Sequence, residues 1–329
     1  ATGRLLWRFR AAPVERHLMV FGNITSTWPV ASGVLVKDGV AYFAAGIIDH
    51  DGTYVYALDA QTGEILWQNN ATGHLSPELR KGVSVQGNLT VLDNQLLLAG
   101  GNQVSPARFD LATGQCSAQP FEQGRPKANN GRFAGVFRDS AAIVGGRILY
   151  SAAENVATKG YFAAYTKDNG FHVAFGGIPP AWDDDTFAVI NYKQGKIICC
   201  DADKVAEHLR IKESGDPAPQ KQSGANVAAR AQQENLLRWQ SNLDGARKFE
   251  AVSLVVCPNA IVAVARSQTR HRAHPQWYVV GFDSTTGSIM FQQALLGDPL
   301  PDGLLVDAEG RIVVTMLDGR IVCLTSKSS

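Results

Sequence analysis

The sequence predicts an all-β chain, a β-propeller of four-stranded antiparallel blades, six readable and six to eight possible. Three observations predict it. A strand–turn–strand figure centred on Asp-x-x-Thr-Gly recurs along the chain. A second strand pair precedes each copy. The two termini carry complementary halves of one figure. Four short strands per unit at a period of roughly 40 to 55 residues is the pattern of propeller blades.

The figure is clearest at Tyr54-Val-Tyr-Ala-Leu-Asp59-Ala-Gln-Thr62-Gly63-Glu-Ile-Leu-Trp67. It recurs at Pro106 to Gly114, with Asp110 and Thr113, and at Tyr278 to Phe291, with Asp283, Thr286 and Gly287. A worn copy runs from Tyr161 to Gly170. Aspartate at the turn start bonds backbone two residues on, threonine supports the turn, and glycine supplies the positive φ. The aromatic four residues past the glycine (Trp7, Trp67, Phe291) is placed to pack between neighbouring sheets. Ahead of each figure comes a hairpin: Val34–Ala45 around Lys-Asp-Gly39, Leu89–Ala99, Ala142–Tyr150 around Gly145-Gly146, Leu254–Val264, and Leu304–Val314.

The blades read as 30–68, 86–118, 140–175, a degenerate 181–243, 249–295, and a closing blade of 303–325 plus 1–8. A seventh has room at 9–29, 69–85 or 119–139. Ala1 to Trp7 is the second half of the figure and Arg320 to Thr325 the first half. Joined, they close a ring and remove two exposed sheet edges. The degenerate blade is interrupted over 203–237: a helical stretch from Asp203 to Arg210, a polar loop, a second helical stretch from Ala225 to Leu237, and a late strand at Leu236-Leu-Arg-Trp239. One propeller domain therefore spans 1–329.

Composition narrows the function classes. Lys+Arg total 31 against 30 Asp+Glu, a net charge of +1, which lacks the excess needed to neutralise nucleic-acid phosphates. No apolar run of membrane-spanning length occurs. No leader opens the chain, which reads as cytosolic or as a mature or excised part of an exported protein. The five cysteines show no zinc spacing. Cys199 and Cys200 are adjacent in a strand-like run, giving one inward and one outward thiol, with a strained vicinal disulfide as the alternative.

Ligands of propellers gather where loops converge at one end of the central channel. Chain position nominates Asp49, His50, Asp51, Asn102, Glu154, Asn155, Arg270 and Arg272 in inter-strand loops, and Trp28, Trp182 and Asp183 in inter-blade connections. Asp49-His50-Asp51 is a metal candidate or a polar turn. Asp183-Asp184-Asp185 binds a cation or caps the next strand. The basic run from Arg266 to His274 grips an acidic glycan or phosphate, or forms an exposed hairpin tip. Trp28 and Trp182 stack on sugars or pack between blades. No Ser-His-Asp order, phosphate-cradling glycine loop or HExxH occurs.

The figure at 56–67 resembles the repeat of quinoprotein-like, or PQQ-like, β-propellers, a group with WD40-like architecture. It includes quinoprotein alcohol dehydrogenases and the propeller lipoprotein of the outer-membrane assembly machine. Ser26–Pro29 and Gly39–Asp49 look like PQQ-like repeat proteins of planctomycete-type bacteria. The resemblance implies a binding or scaffold module of the bacterial periplasm or cell envelope. Such a module holds a protein or glycan partner at the channel mouth and needs no cofactor. Its alternatives are a carbohydrate-active propeller, or an oxidoreductase binding PQQ and calcium. For the latter, Cys199-Cys200 resembles the cysteine pair over the quinone, and Glu154-Asn155 the calcium-ligating segment. Here, however, the pair follows the glutamate rather than preceding it, and no match for the catalytic aspartate is found.

Overall fold

The structure is a computed structural model. It describes residues 4–20, 22–47, 51–72, 82–99, 106–117, 133–138, 141–145, 150–151, 156–157, 160–166, 170–191, 196–213, 235–242, 249–267 and 276–325. The chain divides into two compact units, Ala1–Arg147 with Ala164–Gly170, and Ile148–Ala163 with Phe171–Ser329.

The first unit opens with a hairpin, β1 (His17–Val20) and β2 (Asn23–Ser26), which forms a two-stranded sheet of its own. The 9–29 stretch therefore holds a hairpin and not a further blade among the described residues. The first blade follows as β3 (Val30–Lys37), β4 (Val40–Ala45), β5 (Tyr54–Asp59) and β6 (Ile65–Asn69), paired in chain order and antiparallel. Its inner strands are buried on both faces, with β4 and β5 supplying Tyr42, Phe43, Val55, Tyr56 and Leu58 to the core. The second blade comprises β7 (Leu89–Leu92), β8 (Gln95–Leu98) and β9 (Ala107–Asp110). Among the described residues, its fourth strand is represented by one bridge between Phe109 and Cys116.

The third sheet corrects the expected register. Its outer hairpin is β10 (Phe133–Phe137) and β11 (Ala141–Gly145), and the order continues through β14 (Gly160–Thr166) to β15 (Gly170–Gly177). The turn after β10 begins at Arg138, a non-glycine residue at φ 54, and Gly145, expected in the hairpin turn, instead ends β11 opposite Phe133. Tyr150–Ser151 (β12) instead pairs with Val156–Ala157 (β13) in a separate hairpin.

The second unit carries two complete blades and a three-stranded sheet. The first is β16 (Ala181–Trp182), β17 (Thr186–Asn191), β18 (Lys196–Asp201) and β19 (Leu237–Asn242). Between β18 and β19 the insertion begins with α1 (Ala202–Glu213), which packs against β17 and β18. The expected second helical stretch lies almost entirely outside the described residues, and its last residue, Leu237, opens β19. The next blade is β20 (Phe249–Cys257), β21 (Ala260–Ser267), β22 (Trp277–Asp283) and β23 (Ile289–Leu295). The last sheet is β24 (Pro299–Val306), β25 (Ile312–Met316) and β26 (Ile321–Leu324). Leu304, Val306, Val314, Met316, Val322 and Leu324 share one cluster with Val252, Val262, Val264, Trp277 and Val279 of the preceding blade. Among the described residues this sheet has three strands.

The repeat figure has one construction in three places. Asp59 Oδ1 accepts the amides of Gln61 and Thr62 at 2.9 and 2.8 Å, and the Gly63 amide donates to the Asp59 carbonyl at 2.9 Å. Asp110 and Asp283 repeat this, and each also accepts from the Thr113 or Thr286 hydroxyl, at 2.8 and 2.9 Å. The turn then requires left-handed backbone at Gly63, Gly114 and Gly287, at φ +76, +69 and +73.

That glycine has a second duty. The Trp67 ring, in the first blade, lies on Gly114 of the second, and its Nε1–H donates to the Leu111 carbonyl at 2.9 Å. Trp7 lies on Gly63 in the same way and donates to Ala60 at 3.1 Å, and Trp239 lies on Gly287 and donates to Ser284 at 2.8 Å. A methyl group at any of these glycines would enter the indole, which explains the pairing of glycine with a tryptophan from earlier in the chain. Phe291, expected to do the same, turns back over Gly281 in its own sheet. A phenyl ring has no N–H to donate to a neighbouring carbonyl.

Candidate functional site

The residues nominated from the sequence fall into three described groups. Trp28 and Asp51 meet: the Trp28 indole N–H donates to the Asp51 carbonyl at 2.7 Å. The Trp28 ring is 7% exposed, edge-on to Tyr54 at 6.2 Å, with the Arg16 guanidinium 5.9 Å from its centroid. It belongs to the same core cluster as Tyr42, Tyr54 and Leu58. This tryptophan packs a connection onto the first blade, and its apolar faces are spent there.

The second group lies in the β16–β19 sheet. Trp182 stacks on its cross-strand partner Phe187, with centroids 6.0 Å apart and planes 12° apart. Asp183 Oδ1 accepts the amides of Asp185 and Thr186 at 2.9 and 2.8 Å, capping the entry to β17. Alternation along β18 sends Cys199 and Cys200 to opposite faces, and both are buried. Cys199 packs with Ile190 and Trp239 in the core shared with the next blade. The expectation of one outward-facing thiol is therefore corrected, because both faces of an inner blade strand are covered. Both are free thiols, and burial pushes each up to about 12. A thiol so far above its usual range stays protonated and inert at neutral pH.

Next to this pair lies a polar cluster that reading the sequence missed. Asp201 caps α1 by accepting the Lys204 amide at 3.1 Å and pairs with the Arg238 guanidinium at 3.1 Å. Burial raises its pKa, but the Lys204 amide and Arg238 outweigh that and hold the carboxyl below its ordinary value. The available signal was aspartate directly before a helical run, a helix-capping pattern. Its partner Arg238 arrives only after the insertion.

The third group concerns the basic run that begins at Arg266. Arg266 is buried, with its guanidinium 4.7 Å from the centroid of Trp277, its cross-strand partner. Trp277 in turn donates to Asp298 Oδ1 at 2.9 Å. Arg266 thus serves packing and not an exposed tip. Asp49, His50, Asn102, Glu154, Asn155, Arg270 and Arg272 lie outside the described residues. Among the described residues, no cluster of three or more His, Cys, Asp or Glu side chains is placed to hold a metal, and no helix is long and apolar enough to cross a membrane.

Repeating antiparallel sheets, an Asp-x-x-Thr-Gly turn recurring in three of them, and tryptophan rings docked on the turn glycines define a β-propeller of PQQ-like repeats. The family described as Outer membrane protein assembly factor BamB matches residues 1–173, more than half of the chain, and the chain belongs to that family. No curated protein matches it. Among solved structures, BamB from Moraxella catarrhalis is similar at 15% identity and a TM-score of 0.45, over 94% of this chain and 76% of that one. The Dos1 propeller is similar at 12% identity and 0.45, over 92% and 69%. Quinohemoprotein alcohol dehydrogenase from Comamonas testosteroni follows at 13% and 0.38, over 91% and 46%. These scores lie below 0.5 and add nothing to what the repeat and the family match establish.

Proposed function

We propose that this chain is a non-catalytic binding propeller, a scaffold that holds a protein partner in the bacterial cell envelope. The observation that carries the reading is membership, over residues 1–173, of the family described as an outer membrane protein assembly factor. The polar residues support it: Asp59, Asp110, Asp183, Asp201 and Asp283 each spend their carboxylates on turns and caps.

A quinone cofactor fits these residues poorly. The cysteine pair that would cover it is buried in opposite faces of a blade strand, as two free thiols within packed sheets. A protein partner is also preferred to a glycan, since Trp28 is packed in the core and Trp182 already stacks on Phe187.

The test has two arms. Purified chain mixed with PQQ and Ca²⁺ is expected to keep its melting temperature and to leave the cofactor spectrum unchanged. A saturable rise in melting temperature with dye-linked alcohol oxidation would replace the scaffold reading with an enzyme. In the second arm, cross-linking in intact cells followed by mass spectrometry is expected to join the chain to a discrete envelope protein. Failure to cross-link to any protein, at expression levels where the chain itself is detected, counts against a scaffold.

A further inference from the structure

We propose that the β1–β2 hairpin, with the segment leading into it, is a docking element for an anionic phospholipid surface. The inference does not depend on which partner the blades hold. Residues 4–24 carry four arginines (Arg4, Arg8, Arg10, Arg16) against one acid, Glu15, in a chain whose net charge is only +1. All four arginines are exposed.

Their direction follows from the packing of their neighbours. Trp7 docks on Gly63, Phe9 packs edge-on against Phe43 and Tyr56, and Ala11 is buried, its carbonyl accepting the Tyr56 hydroxyl at 2.8 Å. With every second residue held inward, Arg8 and Arg10 project outward. Ala11 and Trp28 share one core cluster, and the Thr27 amide closes on the Arg16 carbonyl at 3.0 Å. Arg16 thus stands at the base of the hairpin, and Arg8 and Arg10 lie on the segment that leads into it.

The hairpin itself is apolar where a soluble ribbon should be polar. Met19 and Ile24 are direct cross-strand partners, and they are 70% and 74% exposed. Val14, in the lead-in, is exposed as well. A two-stranded ribbon offers no groove for a folded partner, and its exposed aliphatics include none of the tyrosine or tryptophan anchors that dominate protein interfaces. Exposed aliphatic side chains on a ribbon, with arginines at its base and along its lead-in, suit shallow burial in the acyl boundary, with guanidinium groups on lipid phosphates. Charge complementarity selects an anionic surface.

The experiment is co-sedimentation of the full chain with vesicles of phosphatidylcholine alone, and with roughly 30% phosphatidylglycerol added, a composition that creates a negative surface potential. Binding is expected only to the anionic vesicles, and it should weaken as salt is raised. Each arginine at the surface is worth about fivefold, so Arg10→Gln/Arg16→Gln should weaken binding on the order of 25-fold. Met19→Ser/Ile24→Ser, which removes only exposed side chains, should abolish tight binding with an unchanged melting temperature. That unchanged melt separates lost docking from lost folding. Equal binding to both vesicles, or undiminished binding by both variants, overturns the proposal. Retention on immobilised polyglutamate through the same arginines, without vesicle binding, overturns it in favour of an acidic polypeptide.

Discussion

Replacing Gly114 by alanine tests whether tryptophan docking joins one blade to the next. The added methyl would fall on Cε3 of Trp67 and lie 2.6 and 2.8 Å from Cδ2 and Cζ3, too close for the ring to stay. Gly114 also sits at φ +69, where an L-residue costs about 1–2 kcal/mol. Displacing the indole forfeits its bond to the Leu111 carbonyl, about 1 kcal/mol, together with part of its packing. The sum is about 3–5 kcal/mol. Gly39→Ala is the matched control, because Gly39 has φ +78 and nothing within 4 Å of a new methyl. It should cost only the backbone share, about 1–2 kcal/mol. Urea unfolding followed by far-ultraviolet circular dichroism compares the two. In a Trp67→Ala background the clash is gone, so Gly114→Ala should fall to the cost of the control, a coupling of about 2–3 kcal/mol. Equal penalties for Gly114→Ala and Gly39→Ala, or additivity in the double variant, would refute the docking argument.

Three other outcomes are expected. Hydrogen bonds from the Thr62, Thr113 and Thr286 turns hold Asp59, Asp110 and Asp283 below the ordinary 3.8. A depressed folded-state pKa contributes stability that is present above the unfolded value and lost as pH falls through the folded one. Asp110→Asn should therefore flatten the loss of stability below about pH 4, measured as the urea midpoint against pH; a parallel acid limb would contradict it. Iodoacetamide at about pH 8 should label the exposed Cys323 in the native protein and spare Cys199 and Cys200, whose thiols sit near 12. Labelling of all three at one rate would show the β18 strand to be open. Trp28→Phe, which keeps most of the ring but loses the bond to Asp51, should cost about 1 kcal/mol in urea unfolding. An unchanged midpoint would mean that bond contributes nothing.

What was legible from the sequence tracks how local the interaction is. The Asp-x-x-Thr-Gly turn is satisfied within a span of five residues, so its bonds could be anticipated from residue types alone. The third sheet departs from the sequence pattern because a Gly-Gly pair signals a turn more strongly than Arg138, whose left-handed backbone no side-chain preference announces. The tryptophans were recognised as aromatics placed between sheets, but their seats were not: Trp67 and Gly114 are 47 positions apart, and Trp239 follows a long insertion. Asp201 could be suspected as a cap, whereas its ion pair with Arg238 crosses that same insertion.

The sequence by itself determined the repeat unit, its strands and its turns, because periodicity and turn chemistry act between near neighbours. Only the tertiary structure decided what the candidate residues do. Strand parity sends Cys199 and Cys200 to opposite faces, yet whether either face meets water depends on what packs against the sheet, and both are covered. Trp28 has the same chemistry as a sugar platform or as a core residue. Its burial against Tyr54 makes it the latter. The hairpin was hidden for the converse reason: Met19 and Ile24 look like ordinary core residues in the sequence, and only their place in a two-stranded ribbon leaves them exposed. Burial belongs to the assembled sheets, and no single strand carries it.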